Sequence, residues 1–349
     1  MEGNNPLFDM FNTNKRMISL DLKNEAGGKI MRQLLARADI FLCNVRMPSL
    51  KRMALDYESL HKEFPELIYA RFSGFGLEGE EAGNPGFDSS AFWMRSGAML
   101  DTLLPGSFPV RPSFAFGDLA TASSFVSGIL MALYARTQGK GGSLVSTSLL
   151  NSGLWCNGTS LINAQEKYGR NYPLDRLDPW DPFTDSYQCA DGEWVGIFEK
   201  LYSRDRKIFA EIFDLPELIA DPDLETLDAM AASGKKRRIA EKVAERMKEK
   251  SSSEWMAILR ERDVPTERLR HFKEAGRDEQ ARVNGYLEEI DYGDGEATVL
   301  PVPPMRFSEY GRRPFRAANR IGGDTTVVLR ELGYSEEEIR SLRERKAVR

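Results

Sequence analysis

The first 80 residues alternate between short apolar runs and segments with helical periodicity, and this alternation limits the possible folds more than any other feature. The runs predicted as strands are Met17–Leu22, Ile40–Asn44 and Leu67–Phe72, and the helices predicted between them are Asn24–Ala38 and Asp56–Glu63. Because strand, helix, strand connections favour parallel pairing, the sequence predicts an α/β fold with a parallel sheet. Such sheets bind ligands beyond the carboxyl ends of their strands, so Asn44–Met53 and Ser73–Asp88 are the candidate binding loops.

The pattern changes after about residue 185. Asp191-Gly192 lies between two strand-like runs and is a strong hairpin signal, and helices and short strands follow without regular alternation. A second hairpin is predicted over Tyr286–Asp291 and Thr298–Val302, with two closing helices at Thr325–Leu332 and Ser335–Arg345. We expect a large domain over 1–185, a smaller α+β domain over 186–304, and a C-terminal segment over 305–349.

The segment from Phe114 to Tyr134 combines a Gly117-Asp118 turn with a predicted amphipathic helix. Phe125, Ile129 and Leu133 have the spacing of a core-facing stripe. Asp118 stands where an N-cap residue would accept a bond from free N–H groups, with the helix dipole keeping its carboxylate ionised. Small residues follow in the first turns, leaving room for a bulky group near Asp118. A lone Asp before a helix is nevertheless more often a plain cap.

Composition excludes several classes of protein. The 349 residues are 41% hydrophobic with a net charge of −5 spread along the chain, which does not favour a nucleic-acid or anionic-membrane surface. Three distant cysteines argue against a disulfide framework and suit a reducing cytoplasm, and two histidines are too few for a His/Cys metal cluster. Without an apolar run of about 18 residues or a signal-peptide core, we expect a cytoplasmic protein that binds neither membrane nor metal.

A series of short blocks then points to a family. The blocks are Asn14-Lys15-Arg16, Leu20-Asp21-Leu22-Lys23, Asn44-Val45-Arg46, Leu55-Asp56-Tyr57, Leu67-Ile68-Tyr69, Ser73-Gly74-Phe75-Gly76, Gly86-Phe87-Asp88 and Phe116-Gly117-Asp118. In order and spacing the chain resembles the class III CoA-transferases, the superfamily of formyl-CoA transferase. The resemblance implies a Rossmann-like large domain with a parallel sheet, a smaller α+β domain, C-terminal helices that return to the large domain, and a homodimer of interlocked rings. The family's first strand and helix precede the Asn14 block and are missing here.

The resemblance also implies the site residues. Asp118 would be the nucleophile that carries the acyl group and then the sulfur of coenzyme A (CoA), while an acyl-CoA and a small carboxylic acid exchange CoA. The residues implied in CoA binding are Leu20, Asp21, Leu22, Lys23, Asn44, Val45, Arg46, Arg52, Met53, Pro85, Gly86, Phe87 and Asp88. Without the resemblance, the favoured interpretation of Lys23, Arg46 and Arg52 is that they are solvated cations on the surface. Phe87 is equally well a core aromatic residue, and Asp88 another helix cap.

Single residues and missing motifs limit the reactions that we expect of this chain. Racemases of the same superfamily place a His where this chain has Phe87, and Phe cannot accept a proton, so racemisation by a His/Asp pair is not expected. Trp93 and Arg95 resemble the branch that handles 2-hydroxyacyl-CoA and enoyl-CoA. An alternative prediction is a shortened, inactive homologue that binds CoA or a partner subunit. A dinucleotide-linked oxidoreductase is disfavoured because no Gly-x-Gly-x-x-Gly follows a strand.

Overall fold

A computed structural model describes residues 5–109, 114–175, 179–293 and 295–349. The chain divides into two compact units. The large unit contains Met1–Gly97, Arg111–Gly158 and Gly276–Arg349, and the small unit contains Ala98–Val110 and Thr159–Ala275. The domain boundaries predicted at residues 185 and 304 stay a prediction.

Strands and helices follow one another in this order. The strands are β1 (Ile40–Cys43), β2 (Ile68–Ser73), β3 (Leu144–Ser148), β4 (Thr184–Gln188), β5 (Trp194–Phe198), β6 (Thr266–Arg268), β7 (Leu287–Ile290) and β8 (Thr298–Pro301). The α-helices are α1 (Pro6–Asn12), α2 (Glu25–Leu35), α3 (Met47–Arg52), α4 (Tyr57–Glu63), α5 (Ala98–Asp101), α6 (Phe116–Thr137), α7 (Leu149–Cys156), α8 (Gly158–Asn163), α9 (Tyr202–Ile212), α10 (Glu217–Ala220), α11 (Leu227–Ala232), α12 (Lys236–Met247), α13 (Ser252–Glu261), α14 (Phe272–Ala275), α15 (Glu279–Val283), α16 (Thr325–Glu331) and α17 (Glu336–Glu344). A π-helix spans Asp88–Met94 and a 3₁₀ helix spans Pro222–Leu224.

The large unit is built on the parallel sheet β1-β2-β3, with β2 in the centre. β2 is apolar and buried along most of its length, as expected of a strand covered on both faces. Tyr69 faces a cluster with Leu35, Leu50 and Leu60, whereas Ala70 belongs to a cluster with residues of α6. The predicted α/β alternation with parallel pairing is confirmed.

The strand predicted at Met17–Leu22 is wrong. In the described residues this segment makes one antiparallel bridge, between Leu20 and Val348. The N–H of Met17 donates to Asp324 Oδ2 at 2.8 Å, and the N–H of Ser19 donates to Thr325 Oγ1 at 3.1 Å. Because side chains at the start of α16 take these donors, no ladder forms.

The C-terminal helices pack within the large unit. Ile30 of α2 lies in one apolar cluster with Leu329 of α16, Ile339 and Leu342 of α17, and Val348. α17 begins with a capping box, in which Ser335 and Glu338 satisfy each other's backbone N–H groups. The predicted closing helices and the predicted hairpin, now β7 and β8, are therefore confirmed.

α6 lies against the parallel sheet. Phe125 and Ile129 are buried with Ala70, and Leu133 packs beside them, which confirms the predicted core-facing stripe. Its opposite face is apolar but exposed. By length and composition alone, α6 is the one helix within the described residues that is long and apolar enough to cross a membrane. The sequence analysis expected no apolar run of this length, because Asp118 and several Ser and Thr residues interrupt the apolar residues of this segment.

The small unit has its own antiparallel sheet, β4-β5-β6, joined at its first turn by Asp191-Gly192 as predicted. Gly192 has φ +84°, a conformation that favours glycine in such turns. The core contains Phe183, Phe209 and Trp255, each fully buried. After β3 the chain forms two consecutive helices, α7 and α8, which Asn157 separates.

Candidate active site

The candidate active site in the large unit is centred on the start of α6. The helix begins at Phe116, after Ala115 in a left-handed conformation with φ +57°. Asp118 is therefore the third helical residue, and the expectation that it is the N-cap is wrong. Residue 115 makes no side-chain cap, so the first N–H groups of the helix need another acceptor.

Asp88 supplies that acceptor. The backbone N–H of Asp118 donates to Asp88 Oδ1 at 3.0 Å. Asp88 is the first residue of the π-helix, whose N-cap is Phe87, and its carboxylate instead takes a backbone N–H at the start of α6, which is the role expected of Asp118. As a result, the Asp118 side chain is not used in capping, and its carboxylate accepts no hydrogen bond from the residues described.

Gly117 is required by the close approach of the π-helix. A side-chain carbon at this position would lie 2.4 Å from Phe92 Cγ and 2.5 Å from Asp88 Oδ1. Both distances are shorter than any normal non-bonded contact, so a larger residue would force Asp88 away from the helix start. The glycine of the Gly117-Asp118 turn therefore holds the two aspartates beside each other.

The position of Asp118 makes its carboxylate more basic. Burial raises the pKa of Asp118, and the neighbouring Asp88 charge raises it further. The raised pKa runs against the expectation that the helix dipole keeps the Asp118 carboxylate ionised. A half-buried carboxylate without hydrogen-bond donors is a better nucleophile than a solvated one, provided that the pH exceeds its raised pKa.

The loop after β2 reaches the same place. Gly74 and Gly86 touch back to back, since a side-chain carbon on Gly74 would lie 2.6 Å from the Cα of Gly86. The carbonyl of Gly74 also accepts from the N–H of Leu150 at the start of α7. Phe87 follows Gly86 and is 71% exposed, so the interpretation of Phe87 as a core aromatic residue is wrong. Pro85 is exposed as well.

Trp93 and Arg95, which resemble the branch that handles 2-hydroxyacyl-CoA and enoyl-CoA, differ in the contacts that their side chains make. Trp93 packs against Phe92 and Phe116, and its indole Nε1 is buried without a partner among the described residues. Arg95 instead forms two hydrogen bonds with Glu81, at 3.0 and 2.9 Å. The ion pair occupies the Arg95 guanidinium, whereas the Trp93 N–H is available as a donor.

Four of the implied CoA residues line one cavity of about 330 Å³. They are Leu22, Lys23, Arg52 and Met53, and the other wall comes from α2, including Gly28 and Arg32. Arg32 is held by Glu63 at 3.0 Å, but the Lys23 ammonium has no ion pair among the described residues. We name this space the Lys23 cavity. Two cations without carboxylate partners in the described part of the chain, Lys23 and Arg52, give it the charge that a phosphate group needs.

Leu20 and Asp21 line a second, wider cavity of about 740 Å³, named here the Asp21 cavity. Its remaining walls are Ser19, Val348 and three cations, Arg343, Lys346 and Arg349. Sequence reasoning missed these cations, although four of the seven residues in 343–349 are basic. This high density of basic residues is the feature of the sequence that could have indicated an anion site.

Asn44, Val45 and Arg46 follow β1 and are all exposed. They line neither cavity, and the one hydrogen-bonding group of Arg46 used within the described residues is its carbonyl, which accepts from the N–H groups of Ser49 and Leu50 at the start of α3. The structure therefore brings most of the other implied residues together in three groups: Asp118 with Gly86–Asp88, the Lys23 cavity, and the Asp21 cavity.

Arg71 in β2 is a buried cation that the sequence analysis did not single out. It is 5% exposed and donates to the carbonyls of Cys43 and Phe72, each at 3.3 Å. Its Nε has no partner in the described part of the chain. Within the same residues there is no group of His, Cys, Asp and Glu side chains that could hold a metal ion.

Comparison with known proteins gives a consistent result. The model of CoA-transferase family III matches residues 1–325. The (R)-2-hydroxy-4-methylpentanoate CoA-transferase of Clostridioides difficile is 32% identical over 348 residues, which cover 100% of this chain and 86% of that protein. The cinnamoyl-CoA:phenyllactate CoA-transferase of Clostridium sporogenes is 32% identical over 99% of this chain and 84% of its own. A CAIB/BAIF family protein from Brucella suis has a similar fold, with TM-score 0.74, 24% identity, and coverage of 92% of this chain and 82% of its own.

Proposed function

Because the chain belongs to CoA-transferase family III, we propose that it exchanges CoA between an acyl- or enoyl-CoA and a small 2-hydroxy or aryl carboxylic acid through a covalent intermediate on Asp118. The observation that carries the proposal is the state of Asp118. Its backbone N–H is bonded to Asp88, its carboxylate accepts no hydrogen bond from the described residues, and burial raises its pKa.

The reaction divides into four substitutions at carbonyl carbons. A carboxylate oxygen of Asp118 attacks the donor thioester, the C–S bond breaks, and a mixed anhydride and CoA thiolate result. The thiolate attacks the Asp118 carbonyl carbon and releases the donor acid as its carboxylate, which leaves an aspartyl-CoA thioester. The acceptor carboxylate then attacks that thioester, forming a new anhydride and the thiolate. Attack of the thiolate on the acceptor's acyl carbon forms the product and restores Asp118.

The residues around Asp118 have distinct proposed roles. Asp88 fixes the helix start and keeps Asp118 oriented, while Gly117 permits this contact. Gly86 and Phe87 form the loop above the acyl group, and the apolar ring of Phe87 helps to exclude water, which would hydrolyse the anhydride. Leu22, Lys23, Arg52 and Met53 would hold the CoA nucleotide, with the two cations near its phosphates. Asn44, Val45 and Arg46 would contact the more mobile pantetheine arm.

The proposed substrate class follows from two relatives. One relative is named for (R)-2-hydroxy-4-methylpentanoate and the other for cinnamoyl-CoA and phenyllactate. Both names describe 2-hydroxy acids with an apolar side chain. The rings of Trp93 and of Phe116, the residue two positions before Asp118 in α6, pack together without being fully buried and suit such a side chain. Phe87 cannot transfer a proton, so a His/Asp racemase reaction is not proposed.

The two curated relatives match over the whole chain, which argues against the alternative of an inactive binding subunit.

We also propose a cytoplasmic homodimer, in line with the interlocked rings that the family resemblance implies. The exposed apolar face of α6, which includes Val126, Leu130, Met131 and Tyr134, supports this assembly because such a face is normally covered. In light-scattering measurements a Met131→Glu variant should shift the dimer toward monomer, whereas a wild-type monomer would contradict the assembly.

The experiment that tests the proposal separates exchange from binding. The protein is incubated with cinnamoyl-CoA and 2-hydroxy acids, and CoA exchange is followed by mass spectrometry. A second sample without acceptor is treated with hydroxylamine, which converts an aspartyl thioester or anhydride to a hydroxamate. We expect the modified peptide to carry Asp118. Modification of Asp88 instead, or exchange without any adduct, would contradict the covalent role of Asp118.

A further inference from the structure

The Asp21 cavity has the chemistry of a phosphate site. The side chains of Arg343, Lys346 and Arg349 contribute three positive charges to its lining, where Asp21 is the one acidic side chain among the described residues. Lys346 and Arg349 make no side-chain hydrogen bond or ion pair among the residues described, and Arg343 donates to Thr326 Oγ1 at 2.6 Å without a carboxylate partner there. Three cations in one lining that form no ion pair with a carboxylate among the described residues attract a dianion more strongly than dispersed surface charges do.

The segment that carries these cations is held in place. The carbonyl of Ala347 accepts from the N–H of Asp21 at 2.9 Å, and Val348 forms a bridge with Leu20. Ala347 and Val348 are both buried. The cations at 346 and 349 flank this anchored pair, so little backbone freedom is lost when an anion binds.

The two cavities share one short stretch of chain. Leu20 and Asp21 line the Asp21 cavity, and the next two residues, Leu22 and Lys23, line the Lys23 cavity. The chain turns here, since the N–H of Asn24 donates to the carbonyl of Asp21 at 3.0 Å. Leu20 and Lys23 therefore lie closer together than the about 10 Å that three extended steps would span, and one nucleotide can reach both cavities. The nucleotide of CoA carries phosphate on two sides of its ribose, a 5′-diphosphate and a 3′-phosphomonoester. Two cationic cavities at this separation match two phosphate groups.

We propose that Arg343, Lys346 and Arg349 form a subsite for a phosphomonoester, and that the phosphate bound there is the 3′-phosphate of CoA. This assignment rests on the proposed function, since it assumes that the nucleotide lies along residues 20–23. The Lys23 cavity then takes the 5′ side. The C-terminal residues thereby distinguish CoA from its dephosphorylated form.

Calorimetric titration of the full chain with CoA and with 3′-dephospho-CoA tests the subsite. Lys346→Asn and Arg349→Gln each remove one lining charge, and Asn is chosen because Lys346 has φ +54°, which Asn tolerates. Arg340→Gln is the matched control, since Arg340 lies on the same helix α17 and does not line the cavity. We expect each lining variant to weaken CoA binding about fivefold, with the larger loss at low salt. Binding of dephospho-CoA should be unchanged in all variants.

The other outcomes are distinguishable. Equal binding of CoA and dephospho-CoA by the wild type, with inorganic phosphate bound only when Lys346 and Arg349 are present, would keep the phosphate site but overturn its assignment to CoA. Equal weakening of both nucleotides in the lining variants, or no weakening at all, would overturn the subsite. If CoA binds with the expected pattern but no acid accepts CoA, the proposed function fails and the subsite stands. If exchange is normal but the protein shows no preference for the 3′-phosphate, the proposed function stands and the assignment of the subsite to CoA fails.

Discussion

Each unit of the protein contains a pair of adjacent carboxyl groups, and the pairs differ in how their oxygens are satisfied. In the large unit, Asp88 accepts the N–H of Asp118, and the Asp118 carboxylate has no donor within the described residues. In the small unit, Asp181 accepts from the N–H of Phe183 and from Thr184 Oγ1, both at 2.8 Å, and Glu199 lies beside it. Burial raises the pKa of Asp118, Asp181 and Glu199 alike.

The difference shows that a raised pKa does not identify a catalytic carboxylate. Asp181 fixes the residues at the start of β4 through two hydrogen bonds, which is a structural role for a buried acid. Asp118 has the same electrostatic perturbation but no such hydrogen bonds within the described residues, so its oxygens remain available for covalent chemistry. We therefore expect the large-unit pair to control activity and the small-unit pair to control stability.

The largest expected effect is on activity. Asp118→Asn should lower the rate of CoA exchange at least about 10³-fold, because an amide oxygen cannot form the anhydride. Steady-state exchange and calorimetric binding of CoA are measured together. Binding should persist, and full exchange activity of the Asp118→Asn variant would remove the proposed difference between the two pairs.

A second prediction concerns the contact that holds the large-unit pair together. Gly117→Ala should lower the free energy of unfolding by about 1–3 kcal/mol, since the new methyl group overlaps Phe92 and Asp88. Gly28→Ala is the control for stability, because it adds the same group in a helix with no atom within 4 Å. That control should be neutral or stabilising by up to about 1 kcal/mol. Denaturant titration of both variants measures the contrast, and equal values would show that the helix start has room to relax.

The small-unit pair should respond to pH through stability. Burial and the neighbouring Asp181 raise the pKa of Glu199 from 4.5 to about 7. A raised pKa in the folded state means that the stabilisation is complete below the unfolded value and is lost as the pH rises through about 7. Glu199 is partly exposed, so solvent screening reduces the effect to about 1 kcal/mol. Glu199→Gln should remove this loss between about pH 5 and pH 8.

Thermal unfolding across that pH range measures the effect. Glu261→Gln, an exposed position on α13 of the same unit, is the matched control and should leave the pH dependence unchanged. If the wild-type protein loses no stability as the pH rises across this range, the pKa of Glu199 is not raised by its contact with Asp181.

The smallest effect is on the pH profile of exchange. Asp88→Asn keeps an oxygen that accepts the Asp118 N–H but removes the negative charge that raises the pKa of Asp118. Loss of this charge lowers that pKa, so the acid limb of the rate profile should move to lower pH. A shift in the opposite direction, or none with an intact maximum rate, would limit Asp88 to the helix cap.

Much of this architecture could be predicted from local pattern. The apolar alternation before residue 73 predicted the parallel sheet, and Asp191-Gly192 predicted the hairpin, because turn residues and periodicity act over a few positions. The strand predicted over Met17–Leu22 failed since its N–H groups bond to Asp324 and Thr325, which lie 307 and 306 positions away. No window of local sequence contains that information.

The sequence by itself determined the family and the candidate nucleophile, because these depend on the order of short blocks along the chain. Only the tertiary structure decided which aspartate caps α6 and which stays unbonded among the described residues, since Asp88 and Asp118 come together across 30 positions. It also decided that Arg343, Lys346 and Arg349 share a cavity with Leu20 and Asp21. Local preference follows from neighbouring residues, whereas hydrogen-bond partners and shared cavities depend on which distant segments pack together.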